Sequence, residues 1–177
     1  MKRLLLMLSL VVGIVSTAMA TTYTASPANK GDVKNMVWTA NDVAWNFALT
    51  GNQSFNFDIQ ASAKGLQMGS SKTACTKAVI STSDITGAIT SIKVNASMAK
   101  DGDAKLSVSV GGTEYSPVSV NLDTTAKEYT FEGNSEGEIQ IVYTATKKAF
   151  YLKTITVEYN PGGDTPTPTP VAPELPV

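Results

Sequence analysis

Three observations predict an all-β fold for this 177-residue chain, an antiparallel β-sandwich of about eight to ten strands. Apolar residues recur with period 2 over short runs. Steps rich in glycine, aspartate and asparagine separate the runs. Beyond the first twenty residues no segment sustains a period of 3.6, so at most one or two helical turns are expected.

The N-terminal segment is a processing signal rather than part of the fold. Lys2 and Arg3 give it a positive start, an apolar run from Leu4 to Val15 is interrupted only by Ser9 and Gly13, and Ala18-Met19-Ala20 is a small-x-small cleavage site. This predicts a signal peptide over 1–20, a mature start at Thr21, and secretion to the extracellular space or cell surface, with the periplasm as the alternative. Nothing after Ala20 approaches the roughly 20 consecutive apolar residues of a membrane span. No cysteine follows the predicted cleavage site to carry a lipid, and the sole cysteine, Cys75, reads as a small buried hydrophobe.

The predicted domain covers 21–160. Val43, Trp45, Phe47 and Leu49 alternate with Ala44, Asn46, Ala48 and Thr50, and Phe55, Phe57 and Ile59 alternate with Asn56 and Asp58. Lys64 to Ser70 and Lys77 to Ser83 make two shorter runs. Ile92, Val94, Ala96 and Met98 share one face, and Leu106, Val108 and Val110 repeat the pattern. Val118, Val120 and Leu122 follow, then Tyr129 with Phe131, then Ile139, Ile141 and Tyr143. Asp101-Gly102 and Gly111-Gly112 supply the positive-φ residues of tight turns, which predicts antiparallel neighbours joined by short connections. In the last run Phe150 and Leu152 have one parity, while Ile155, Val157 and Tyr159 have the other. A β-bulge between Lys153 and Thr154 is therefore predicted. From Pro161 the chain reads PGGDTPTPTPVAPELPV, whose prolines favour extended geometry, so 161–177 is a linker or tail.

Composition excludes several chemistries. With Lys2 and Arg3 set aside, 12 basic residues face 15 acidic ones, a net charge of −3. Duplex binding rests on clustered basic residues, so nucleic acid is not expected as a partner. The chain has no histidine, which removes Ser-His and Cys-His nucleophile pairs and His-containing zinc sites. Arg3 is the only arginine, so the mature domain lacks a guanidinium fork for phosphate or carboxylate.

Carboxylate pairs are the acid-base machinery that remains. Asp58, Asp84, Glu128 and Glu158 fall in or beside strands, where an outward charge is ordinary. Asp101 and Asp103 flank a glycine in KDGDAK and could hold calcium, but an Asp-Gly turn accounts for them and further oxygen ligands are lacking. No cofactor is expected, with structural calcium through backbone carbonyls left open. The stretch KGLQMGSSK lacks the spacing of a phosphate loop and reads as a strand ending in a bulge or turn. The sequons at Asn52 and Asn95 match N-glycosylation spacing and carry almost no weight.

Sugar rings present C–H faces to aromatic side chains and hydroxyls to amides, so aromatics off the core stripe are the better candidates. Trp38 lies outside the Val43–Leu49 stripe in a loop-like stretch. Tyr115 follows the Gly111-Gly112 turn near a sandwich end, and Tyr151 has the opposite parity from Phe150 and Leu152. With Gln67 and Lys72 from the KGLQMGSSK strand as hydrogen-bonding partners, these form the candidate ligand-binding set. Each is also open to the plainer reading of packing or solvated surface.

The order KGLQMGSSK, STSDITGAITSIKVNAS, VGGTEY, EYTFEG, GEIQIVYTA and KAFYLKTITVEY resembles accessory β-sandwich modules of large secreted bacterial proteins, carbohydrate-binding-module-like or discoidin-like jelly rolls. The similarity covers about Lys64 to Tyr159 and is strongest over the last three strands. It implies a jelly-roll-like scaffold of the kind that accompanies exported hydrolases, and it carries over no ligand-binding residue set. The resulting expectation is a secreted, non-catalytic module that recognises glycan. The alternatives are a structural or adhesive surface protein and a carboxylate-based hydrolase.

Overall fold

A computed structural model describes residues 19–58, 64–70 and 72–162. The predicted signal peptide and most of the Pro-Thr tail lie outside the described residues, as does Ile59. In chain order the first strands are β1 (Thr21–Ala25), β2 (Val33–Lys34), β3 (Val37–Ala40), β4 (Val43–Gly51), β5 (Phe55–Asp58), β6 (Gly65–Met68) and β7 (Cys75–Thr82). They are followed by β8 (Ala88–Met98), β9 (Lys105–Val110), β10 (Thr113–Glu114), β11 (Val120–Asn121), β12 (Lys127–Ser135), β13 (Ile139–Thr144) and β14 (Phe150–Asn160). A single 3-10 turn at Lys30–Asp32, capped reciprocally by Asn29 and Asp32, is the helical content among the described residues.

The strands form two antiparallel sheets. A six-stranded sheet has the order β12-β8-β14-β6-β5, with β1 also on β14. An eight-stranded sheet has the order β10-β9-β13-β7-β4-β3-β2, with β11 also on β9. The chain crosses from one sheet to the other at β7–β8, β8–β9, β12–β13 and β13–β14, so consecutive long strands face each other across the core. This is a jelly-roll-like sandwich. The Gly111-Gly112 hairpin forms as expected, with Thr113 opposite Val110 and φ of 55° and 81° at the glycines. The expectation of hairpin neighbours fails at Asp101-Gly102, where the chain changes sheet between β8 and β9. Turn chemistry reports a reversal of direction and is silent on which sheet receives the next strand.

The inward residues follow the predicted parity. Ile92, Val94, Ala96, Leu106, Val108, Val110, Phe131, Ile139, Ile141 and Tyr143 are buried, and Cys75 is enclosed among them. Val118 departs from it: this residue is 63% exposed, and the run around it pairs only at Val120–Asn121. The preceding Pro117 offers no donor to a ladder.

The bulge in β14 forms where predicted, with the register shifting between Leu152 and Thr154. It keeps both apolar sets inward, since Phe150, Leu152, Ile155 and Val157 are all fully buried. It also marks where the other edge of β14 changes partner. Residues 150–152 pair with β6, and residues 155–159 pair with β1. Gly65, at φ +93°, packs its bare Cα against Leu152 O and Lys153 Cα at this point, and a Cβ would stand 2.8 Å from the latter. A side chain there would separate β6 from β14.

Candidate functional site

The register of the six-stranded sheet assembles a row across its outer face. β5 places Asn56 opposite Gln67 of β6, β6 places Gln67 opposite Tyr151 of β14, and β14 places Tyr151 opposite Ser97 of β8. Neighbouring strands are about 4.8 Å apart, so each pair is in side-chain contact range. Two of the five predicted residues, Gln67 and Tyr151, therefore meet although 84 positions separate them in sequence. The Lys64 ammonium lies 5.0 Å from the centroid of the Tyr151 ring and donates to Met98 O at 3.4 Å. Gln67 Nε2 donates to Gly69 O at 2.9 Å, which fixes the amide and leaves Oε1 as an acceptor. An aromatic ring, an ammonium and an oriented amide on one half-buried surface suit a polyhydroxylated ligand with one apolar ring face.

β8 places three polar atoms beneath the same face. Ser91 Oγ, Asn95 Oδ1 and Ser97 Oγ are enclosed and have no hydrogen-bond partner. An enclosed polar atom left unpaired costs about 1–3 kcal/mol. Further along the face, Lys93 pairs with Glu158 at 2.5 Å, and Thr24 meets Thr156 at 3.2 Å. The hydrogen bond and charge of Glu158 hold the Lys93 ammonium above its ordinary pKa.

The other three predicted residues lie elsewhere. Trp38 is 2% exposed, in β3 rather than in a loop, and pairs with Trp45 in the inward row. The signal that places it is Asn41-Asp42, a two-residue turn with φ of 49° and 63° that folds β3 onto β4. Tyr115 is 1% exposed and ties the six-stranded sheet together, its hydroxyl donating to Ile89 O at 2.5 Å and accepting from Ser135 N at 3.0 Å. Neither ring is offered to solvent, which corrects the expectation that both are stacking platforms. Lys72 is exposed in the β6–β7 connection, at an open depression of about 740 Å³ with Asn52, Thr73 and Thr146.

Three of the carboxylates weighed as acid-base or calcium groups are engaged. Asp84 accepts from Ala44 N at 2.7 Å, and Glu158 is held by Lys93. Asp103 Oδ1 accepts from Thr146 N and Lys147 N, both at 2.9 Å, and Oδ2 accepts from the Thr146 hydroxyl. These bonds hold the Asp103 carboxyl below the ordinary range, the Thr146 hydroxyl contributing most. The aspartate thus clamps the β8–β9 connection to the β13–β14 connection. Among the described residues no three His, Cys, Asp or Glu side chains gather as a metal site, and no helix is long and apolar enough to cross a membrane.

No protein-family model matches the chain, and none of the curated proteins matches it in sequence. Solved structures do resemble it. A variant of a family 29 carbohydrate-binding module superposes with a TM-score of 0.50 at 10% identity, over 81% of this chain and 88% of that one. A family 61 module in complex with β-1,4-galactotriose gives 0.43 at 14% identity, over 64% and 86%. A family two carbohydrate esterase from Cellvibrio japonicus gives 0.42 at 15% identity, over 80% of this chain and 34% of the esterase, so the chain spans about a third of that enzyme. At such identities the likeness is one of fold, and the fold is that of a carbohydrate-binding-module-like jelly roll.

Proposed function

We propose that this protein is an exported, non-catalytic carbohydrate-binding module that takes glycan on the outer face of its six-stranded sheet, as an accessory domain. The observation that carries this reading is the Asn56–Gln67–Tyr151 row, in which the oriented Gln67 amide lies beside a half-buried aromatic ring. Tyr151 is the stacking surface, Gln67 and Asn56 recognise hydroxyls, and Lys64 supplies a donor beside the ring. The neutral amides of the row fit a neutral glycan. Ligands named for the similar modules, among them mannohexaose and β-1,4-galactotriose, are the natural first probes.

Calorimetric titration of the purified protein with mannohexaose, cellohexaose and β-1,4-galactotriose tests the proposal. Saturable binding of at least one, lost in Tyr151→Ala and weakened in Gln67→Ala, is the expected result. Binding to none across a broad glycan panel, or turnover of a glycan abolished by one Asp or Glu substitution, would overturn it.

A further inference from the structure

Charge is segregated along the strand direction. Lys72, Lys77, Lys100, Lys105, Lys147 and Lys148 lie in or beside the connections β6–β7, β8–β9 and β13–β14, all at one end of the sandwich. Asp42, Asp84, Glu114, Glu132, Glu136 and Glu138 lie in or beside the turns at the opposite end. Of the acids at the basic end, Asp123 pairs with Lys127 at 3.3 Å, which leaves Asp101 and the ionised Asp103, its oxygens held by Thr146 and Lys147, against the six lysines. Neither of the two ion pairs among the described residues involves the six lysines.

At the basic end the outer face of the eight-stranded sheet carries an alternating row. The register aligns Thr50 of β4 with Lys77 of β7, Lys77 with Thr144 of β13, and Thr144 with Lys105 of β9. All four side chains are exposed. Strand spacing puts the Lys77 and Lys105 backbones about 10 Å apart, with the Thr144 hydroxyl between them. Two open depressions adjoin the row and share Thr76 and Thr146. One, of about 600 Å³, includes Asp103, Lys105 and Thr144, and the other, of about 740 Å³, includes Lys72 and Asn52.

We infer that this rim is a second binding site, distinct from the Tyr151 face, for an acidic polysaccharide whose repeated carboxylates pair with the lysines while its hydroxyls meet the threonines. A row of alternating ammonium and hydroxyl groups crossing four strands matches an extended polymer better than a small anion. Nucleic acid fits less well, because the row has no aromatic side chain on which a base could stack. The site stands independently of the neutral-glycan reading.

The test compares polygalacturonate with its fully methyl-esterified form, which keeps the hydroxyls and loses the charge, by affinity electrophoresis of the purified protein. Retention by polygalacturonate alone is expected, lost at about 1 M salt, where the screening length falls to about 3 Å. The double variant Lys77→Gln/Lys105→Gln should weaken retention about tenfold. Both sites are exposed, so its melting temperature should be unchanged. Tyr151→Ala should leave polygalacturonate binding intact, which separates the two sites. Equal retention by the esterified polymer, equal retention by single-stranded DNA, no retention at all, or no effect of the double variant would each overturn the inference.

Discussion

The outer faces of the two sheets arise from the same alternation and present different chemistry. On the eight-stranded sheet the central positions are small or short, with Ala48, Val79, Val142 and Ser107 aligned across four strands and a row of lysine and threonine at the rim. On the six-stranded sheet the corresponding positions hold Gln67, Tyr151, Ser97 and Asn95, with polar atoms enclosed and unpaired on β8. The inner faces are alike in being apolar. Core formation therefore constrains one side of each strand, and the other side is where the two sheets diverged toward different contacts.

The comparison breaks most severely at Gly65. With φ at +93° and Leu152 O against its Cα, substitution by alanine forces both backbone strain and a clash, so Gly65→Ala should cost about 3 kcal/mol in urea unfolding. It should also abolish glycan binding by parting Gln67 from Tyr151. Ser81→Ala on the opposite face should stay within about 0.5 kcal/mol. A Gly65→Ala protein of normal stability would show that the row does not depend on this close approach.

Binding separates the faces next. Tyr151→Ala should lower affinity about tenfold or more for whichever glycan probe binds, equivalent to about 1.4 kcal/mol, while Val142→Ala leaves it unchanged. Equal losses in a titration would erase the distinction between the two surfaces.

Tyrosine hydroxyls sharpen it further. The Tyr115 hydroxyl joins β8 to β12, so Tyr115→Phe should lose about 1 to 2 kcal/mol. The Tyr143 hydroxyl is enclosed and unpaired on the inner side of the eight-stranded sheet, its ring stacked 4.7 Å from that of Phe150. Tyr143→Phe should therefore raise stability by about 1 kcal/mol. Opposite signs from one substitution type, read in parallel denaturation curves, are the expected outcome.

The smallest effect concerns acid. Because hydrogen bonds from Thr146 and Lys147 depress the folded-state pKa of Asp103, its contribution is complete above the unfolded value of about 3.9 and is lost as pH falls through the folded value. Asp103→Asn should thus lower the melting temperature slightly at neutral pH and flatten its decline below about pH 4. For so exposed a carboxylate the difference should stay under about 1 kcal/mol. An unchanged acid limb would remove Asp103 as the clamp at the rim.

Much of this architecture was legible in the chain. The parity of Ile92, Val94 and Ala96, of Leu106, Val108 and Val110, and of the β13 residues gave their inward faces correctly. The parity switch after Leu152 located the bulge to the residue. Trp38 lies in the core rather than a loop because the Asn41-Asp42 turn folds β3 onto β4, and Tyr115 because a residue following a hairpin can fold back under the sheet. Parity alone also extended a strand through Val118, where Pro117 and the cis Ser116-Pro117 bond accompany an irregular path.

Alternation is a local property, set by side chains two positions apart, so the sequence by itself determined the strands, the apolar sides and the lack of any histidine, or of any arginine after Arg3. Which outward residues become neighbours depended on pairing between distant segments, as with Gln67 and Tyr151 or Lys77 and Thr144. That choice belongs to the tertiary structure, because register is selected by the fit of the two inner faces against each other, and the outer rows follow from it.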